Sequence, residues 1–445
     1  MPKSVRKVLL VGLKLVIAGL LLWYVLSKVN WRDYAVTREG RELPVVGVYM
    51  EGQESPQQFT PGSRPVAIEV SADGGGQRMA ARDFRPVSIR QPDGTEAPVL
   101  KAEPDWAKLE SYRVQYPGRL PESIAADDVQ PGAAQVVRRG FRSTVLSAIQ
   151  QRPWLLAASF LCFVVPMLMM SVRWWYLLRI QGIHIRLYES LRLTLLGNFF
   201  GSVVPGTVSG DLVKAWYVAK HTDRKAAALV SVFVDRVVGL FEFAVLPAVV
   251  MLCLLAADRF DVEQFFWPAI VVPVVLAGVF FALGLLLSAR LRRVLRVRAI
   301  VRRLPMQQHV AVMAEVARIY RREWPSLLRA LAITFGGQAF FISAIMLVGM
   351  SLALPVPWHL YFLYVPVICI MAAVPISPGG LGVAEYFYVL FFAAGPAGAP
   401  ASEVMALALL ARLLPMIVSL PGLRVAMTGV RLPKAAQMQR ELDET

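Results

Sequence analysis

Residues Ala373–Leu390 read AVPISPGGLGVAEYFYVL. Pro375, Pro378, Gly379, Gly380, Gly382 and Glu385 interrupt a run that is otherwise apolar. Proline removes a backbone donor and glycine loosens the chain, so a continuous helix is not expected here. A bilayer has no water to satisfy backbone groups freed in this way. Unwound chain at membrane depth is therefore tolerated only where protein or a wet cavity surrounds it. The stretch is a candidate site, entered from the apolar run His359–Val374 and followed by the run Glu403–Leu420.

Composition sets the class. Of 445 residues 56% are hydrophobic and 18% charged, and the mean hydropathy is +0.52. Several runs approach the ~20 apolar residues that span a bilayer, so the chain reads as a polytopic membrane protein. Cys162, Cys253 and Cys369 all lie in apolar runs, with no disulfide framework or metal spacing. The histidines His184, His221, His309 and His359 are scattered, and no P-loop is present. No cofactor and no metal are expected. The net charge of +16 invites a nucleic-acid reading, but residues 28–150 carry 16 Lys/Arg against 16 Asp/Glu. The excess lies between the apolar runs, as the positive-inside rule requires, so no nucleic-acid partner is expected.

Taken in order, Lys3, Arg6 and Lys7 precede Val8–Leu26, read as a retained first helix with a cytoplasmic N-terminus. A long loop follows, rich in Pro, Gly and charge. Its stretches Pro44–Met50, Pro65–Val70 and Tyr112–Tyr116 read as strands, with Asp73-Gly74 and Asp93-Gly94 as turns. Val137–Gln150 reads as an amphipathic helix leading back to the membrane. Trp154–Leu178 is the second span, with Arg173, Trp174, Trp175, Tyr176 and Arg179 as its interfacial anchor. Tyr188–Ala219 mixes an apolar half with a polar one and reads as a hairpin. Ala226–Leu255 and Phe265–Leu287 span out and back, the arginine-rich Arg290–Arg322 is a cytoplasmic loop, and Leu327–Leu352 goes out again. Glu403–Leu420 makes the last crossing, and Arg424, Arg431 and Lys434 hold the C-terminus inside.

The two interrupted segments repeat each other. Val204-Pro205-Gly206-Thr207-Val208-Ser209-Gly210 precedes Val213 and Trp216-Tyr217, and Val374-Pro375-Ile376-Ser377-Pro378-Gly379-Gly380 precedes Val383 and Tyr386-Phe387. The register is 170 residues without a gap. The expected topology opens the first hairpin to the cytoplasm and the second to the outside. Matching broken segments of opposite orientation point to an inverted-repeat transporter with its site near the midplane. Recurrence of small residues for helix packing is the plainer account.

Ionisable groups inside spans cost roughly 2.5–3.5 kcal/mol each on the insertion scale, so each demands a partner or a polar cavity. Arg236 and Arg412 are candidates to hold a lipid phosphate, because a guanidinium binds it through two donors at once. They serve equally as members of buried ion pairs, Arg236 with Asp211 or Asp235 and Arg412 with Glu385. Glu385 reads as a first-turn helix acid, or as a proton-coupling or headgroup-amine contact. Asp211, with Lys214 one turn on, carries the same two readings. Asp235 and Glu242, seven apart, share a helix face and suggest a polar stripe. Ser377 and Thr207 read as caps of broken helices more readily than as headgroup ligands. Asn198, Pro205, Gly210, Pro378, Gly379 and Gly380 complete the candidate substrate-binding set.

Asn198…Pro205…Gly210-Asp211…Lys214, then Asp235-Arg236, then Pro375…Pro378-Gly379-Gly380-Leu381-Gly382-Val383…Glu385 resemble the lysylphosphatidylglycerol-synthase transmembrane family, also called flippase-like. The resemblance covers Val8–Leu26 and Trp154–Leu423. Ser209-Gly210-Asp211 and Lys214 depart from the family's Gly-Gly-Asp and following arginine, and Asp235-Arg236 replaces a frequent Glu-Arg. The fused aminoacyl-transferase domain is absent from this sequence, so lipid aminoacylation is not implied. The resemblance implies movement of an anionic phospholipid or lipid-linked glycan between leaflets.

The expected fold is an all-α polytopic membrane protein. It has about six transmembrane helices plus two oppositely oriented re-entrant hairpins, an inverted repeat, and a small β-rich extracytoplasmic insert. Residues 1–30 form the first helix, 31–145 the insert, 146–424 the flippase-like core and 425–445 a cytoplasmic tail. The setting is a prokaryotic cytoplasmic (inner) membrane. The function expected is a lipid transporter, not an enzyme, whose partner is a membrane lipid. A membrane enzyme using Asp211, Asp235 and Glu385, and a receptor or scaffold whose insert engages a protein, are the alternatives.

Overall fold

The computed structural model describes residues 23, 31–50, 55–57, 64–72, 75–90, 96–104, 109–114, 122–125, 129, 134–203, 214, 217–218, 225–258, 262, 265–287, 324–374, 380–393 and 399–429. The chain divides into two compact units, Ser27–Ser147 on one side, and Met1–Leu26 with Ala148–Thr445 on the other.

Among the described residues the smaller unit holds ten strands in two antiparallel five-stranded sheets. In the first, β10 (Val137–Arg138), β1 (Tyr34–Val36), β2 (Glu42–Tyr49), β3 (Ala67–Ala72) and β4 (Gly75–Ala80) lie side by side. In the second the order is β8 (Glu122–Ala125), β7 (Leu109–Val114), β6 (Glu96–Pro104), β5 (Ser88–Arg90) and β9 (Ala134–Gln135). Alternation along these strands sends Ala35, Val48, Ile68 and Val70 inward, where Phe84, Val136 and Val137 close a dry core. The turns expected at Asp73-Gly74 and Asp93-Gly94 lie outside the described residues.

The helix expected from Val137 begins later. Helix α1 is Phe141–Gln151, and Val137 and Arg138 instead pair with Ala35 and Tyr34. Strand pairing gives their backbone partners that a frayed first turn would lack. Asp33 sets the start of the helix, accepting from the Gly140 N–H at 2.8 Å and from the Ser143 hydroxyl. Gly140 is required there, since a Cβ would sit 2.3 Å from the carbonyl carbon of Arg32.

The larger unit is helical. Its elements are α2 (Pro153–Ile180), α3 (Leu187–Val203), α4 (Lys225–Ala256), α5 (Phe266–Leu287), α6 (Trp324–Ser351), α7 (Trp358–Ala373), α8 (Val383–Tyr388), α9 (Ala401–Ser419) and α10 (Pro421–Gly429). Helix α8 runs on into a π-helical turn, Val389–Ala393. Among the described residues four segments are long and apolar enough to cross a membrane: Pro153–Ile180, Val238–Ala256, Leu328–Ser351 and Ala401–Val425. Phe266–Phe281, Trp358–Ala373 and Val383–Ala393 are apolar but shorter. This is a multi-pass membrane protein. Of the first expected span only Trp23, helical and exposed, is described, and the loop Arg290–Arg322 lies outside the described residues.

Helices α2 and α6 run antiparallel along their whole length. Arg152 donates to the Met350 carbonyl at 2.7 Å, Ser159 to that of Ala344 at 2.9 Å, and Tyr176 to the Ser326 hydroxyl at 3.4 Å. Between these, Phe163 meets Phe341 edge to face. At the crossing, Gly336 and Gly337 admit Met169 and Pro166, as small residues do where membrane helices approach closely. Gly336 stands 170 residues after Pro166, and α6 and α7 follow α2 and α3 by 170–171 residues. These helices thus recur at the spacing of the interrupted segments, and the two long ones cross antiparallel. Contacts follow the same exchange: α3 packs on α2, α9 and α10, and α7 on α6 and α4. Gly422 lets α10 close on α3, since a Cβ there would lie 2.3 Å from the Leu195 carbonyl oxygen.

Candidate functional site

The interrupted stretch is a helix break. Helix α7 stops at Ala373 and α8 starts at Val383, with Gly380 at φ +69° and Gly382 at φ +78° between them. Side chains other than glycine pay for that left-handed backbone. Packing adds a second demand at Gly380, where a Cβ would meet the Ala372 carbonyl oxygen at 3.2 Å.

Glu385 sits in the first turn of α8 and is 1% exposed. Its Oε2 accepts from the Gly382 N–H at 2.8 Å, closing the open end of the helix. Arg412 of α9 faces it as a fork. Nε donates to Oε1 at 2.5 Å, and Nη2 to Oε2 at 3.2 Å and to the Gly380 carbonyl at 3.0 Å. One guanidinium therefore ties the break, the restarted helix and the following span together. Glu385 is both the first-turn acid and the ion-pair partner of Arg412. The π-helical turn beyond is held by rings: Tyr364 stacks on Phe391 at 5.2 Å and Tyr388 on Phe392 at 5.8 Å.

A second polar cluster lies among α2, α4 and α6. Arg173 Nε and Nη2 each approach Asp235 Oδ1 at 2.8 Å, and Nη1 donates to Thr334 Oγ1 at 3.4 Å. Arg173 and Asp235 are 6% and 5% exposed. The interfacial role expected of Arg173 is corrected: the side chain points into the helical unit, where an unpaired Asp235 could not be buried. Its neighbour Trp174 is fully buried, and the Lys214 ammonium lies 5.4 Å from its ring centroid. Glu242, two turns beyond Asp235 on the same face, is 3% exposed, and Gln338, one turn beyond Thr334, is 6% exposed.

The other candidates scatter. Arg236 is exposed and does not share the buried face of Asp235, while Asn198 is half-buried on α3. Pro205, Gly210, Asp211, Thr207, Ser377, Pro378 and Gly379 lie outside the described residues. The structure thus brings together Gly380, Glu385 and Arg412, and separately Asp235 with Glu242. Sequence reasoning missed Arg173, Thr334 and Gln338. The signal for Arg173 was present, since a charge inside an apolar run demands a partner, but its flanking tryptophans resemble an interfacial belt.

A broken helix, antiparallel α2 and α6, and charges paired within apolar helices define a multi-pass membrane protein with a polar interior. Residues 138–422 match the family described as Lysylphosphatidylglycerol synthase TM region, and the chain belongs to that family. Among curated proteins none matches.

Proposed function

We propose that this protein moves an anionic phospholipid or lipid-linked glycan between leaflets of a prokaryotic cytoplasmic membrane. The observation that carries the reading is a pair of arginine–carboxylate contacts among antiparallel helices: Arg173–Asp235, with both groups buried, and Arg412–Glu385, with its carboxylate buried. Each guanidinium already holds a carboxylate through the donors that a phosphate oxygen would use. A headgroup can compete for those donors, and releasing the carboxylate loosens the helix it anchors.

In this reading the chain is an inverted repeat. The broken segments around Pro205–Asp211 and Pro375–Glu385 are re-entrant and open to opposite sides. Both termini are cytoplasmic and the strand-rich unit is extracytoplasmic. The chain acts as a carrier and not as a catalyst. Antiparallel α2 and α6 support this, because helices equivalent under an axis in the membrane plane must point opposite ways.

The test is a leaflet-sidedness assay in proteoliposomes with fluorescent phosphatidylglycerol and phosphatidylcholine probes. Wild type should move the anionic probe faster, and Arg173→Ala and Arg412→Ala should each slow it at least tenfold. Equal movement of both probes by all three proteins would sink the proposal.

A further inference from the structure

At one matched position the two halves of the repeat carry opposite charges. Glu242 on α4 stands 170 residues before Arg412 on α9. In the second half the carboxylate is complete, with Arg412 on Oε1 and both Arg412 and the Gly382 N–H on Oε2 of Glu385. In the first half, Oε1 of Glu242 has no hydrogen-bond partner among the described residues. The Gln338 Nε2 donor on α6 has none there either. Both side chains are more than nine-tenths buried.

The charges that act on Glu242 are Arg173 from α2 and Asp235 from its own helix. Arg173 directs Nε and Nη2 to Asp235 and Nη1 to Thr334, so its hydrogen bonds go elsewhere. Of the other helices packed on α4, α5 carries no ionisable residue. Helix α7 brings His359 in its first turn, the phenols Tyr361 and Tyr364 and the thiol Cys369; α6 brings Thr334 and Gln338, with Arg329 exposed. Among the described residues, the charges acting on Glu242 are thus one guanidinium and one further carboxylate. A carboxylate with an unfilled oxygen in such a place has room to accept a proton, which removes its charge and makes it a donor.

We propose that Glu242 is the proton-carrying residue of this core. It takes up one proton when an anionic headgroup occupies Arg173 and gives it up when the headgroup leaves, so lipid and proton travel in the same direction. The proposal rests on the translocation reading. A phosphate that takes donors from Arg173 leaves Asp235, Glu242 and itself facing one positive charge, and a proton on Glu242 cancels one of the negative charges.

Two measurements on the full chain test it. In proteoliposomes with the membrane potential clamped at zero, a pH gradient of one unit should enrich fluorescent phosphatidylglycerol in the leaflet on the alkaline side. One proton per lipid sets a limit of about tenfold. Val249→Ala, at an exposed position of the same helix outside the cluster, should keep the shift, and Glu242→Gln should lose it. In infrared difference spectra of purified protein between acidic and alkaline buffer, a carboxyl C=O band should vanish in Glu242→Gln at an unchanged unfolding midpoint. A wild-type distribution indifferent to the gradient, a Glu242→Gln distribution that shifts as wild type does, or a band that survives in that variant overturns the proposal. If no probe lipid moves with or without a gradient, the translocation reading fails instead. The infrared band then decides by itself whether Glu242 binds a proton.

Discussion

Removing Arg412 should harm the protein more than removing the charge of Glu385, and exposure is the reason. Glu385 is 1% exposed and the Arg412 side chain 27%. Arg412→Met takes away three donated hydrogen bonds and leaves the carboxylate with the Gly382 N–H. An uncompensated buried charge costs about 3–5 kcal/mol. Glu385→Gln leaves an arginine that already reaches the boundary of the unit and can be solvated there, so the loss is about 1–2 kcal/mol. In the double variant neither charge is stranded, and the loss should fall short of the sum by about 2 kcal/mol. The assay is the thermal unfolding midpoint of the three purified variants in one detergent, ranked against wild type. Equal losses from the two single variants, or strict additivity in the double, refutes the reasoning.

Two further outcomes rest on close approaches. A Cβ at Gly349 would come within 1.9 Å of the Tyr361 hydroxyl, which has no hydrogen-bond partner among the described residues. Gly349→Ala should therefore destabilise the protein by about 1–3 kcal/mol. Adding Tyr361→Phe removes the nearest atom but leaves the ring carbon at 2.7 Å, so it should restore part of that, read as a partial recovery of the unfolding midpoint. In the strand-rich unit, Gly140→Ala pushes a Cβ onto the Arg32 backbone at 2.3 Å. Limited proteolysis of the full chain should then cut faster between residues 27 and 147, while cleavage within 153–180 stays at the wild-type rate.

Much of the architecture was legible because it follows from local patterns. The apolar runs Trp154–Leu178, Ala226–Leu255 and Leu327–Leu352 lie within a few residues of α2, α4 and α6, since bilayer thickness sets helix length directly. Prolines and glycines likewise marked the break before α8, because φ near +70° at Gly380 and Gly382 is a property of those residues. The strand at Val137–Arg138 was not legible. Its partners Tyr34 and Ala35 are about a hundred residues away, and a short apolar run reads equally as a helix.

By itself, the sequence determined that the chain crosses a membrane, that two broken segments repeat at 170 residues, and that charges sit where charges are costly. Those are statements about spacing and composition. Tertiary structure alone decided which charges meet. Asp235 turns from its neighbour Arg236 to Arg173, sixty-two residues earlier, while Glu385 and Arg412 do meet as a fork. A buried ion pair is chosen by where helices cross and which face each presents, and pairing across helices leaves no trace in the order of residues along one of them. The same crossing left Oε1 of Glu242 without a hydrogen-bond partner among the described residues in one half, while an arginine stands at the matched position in the other.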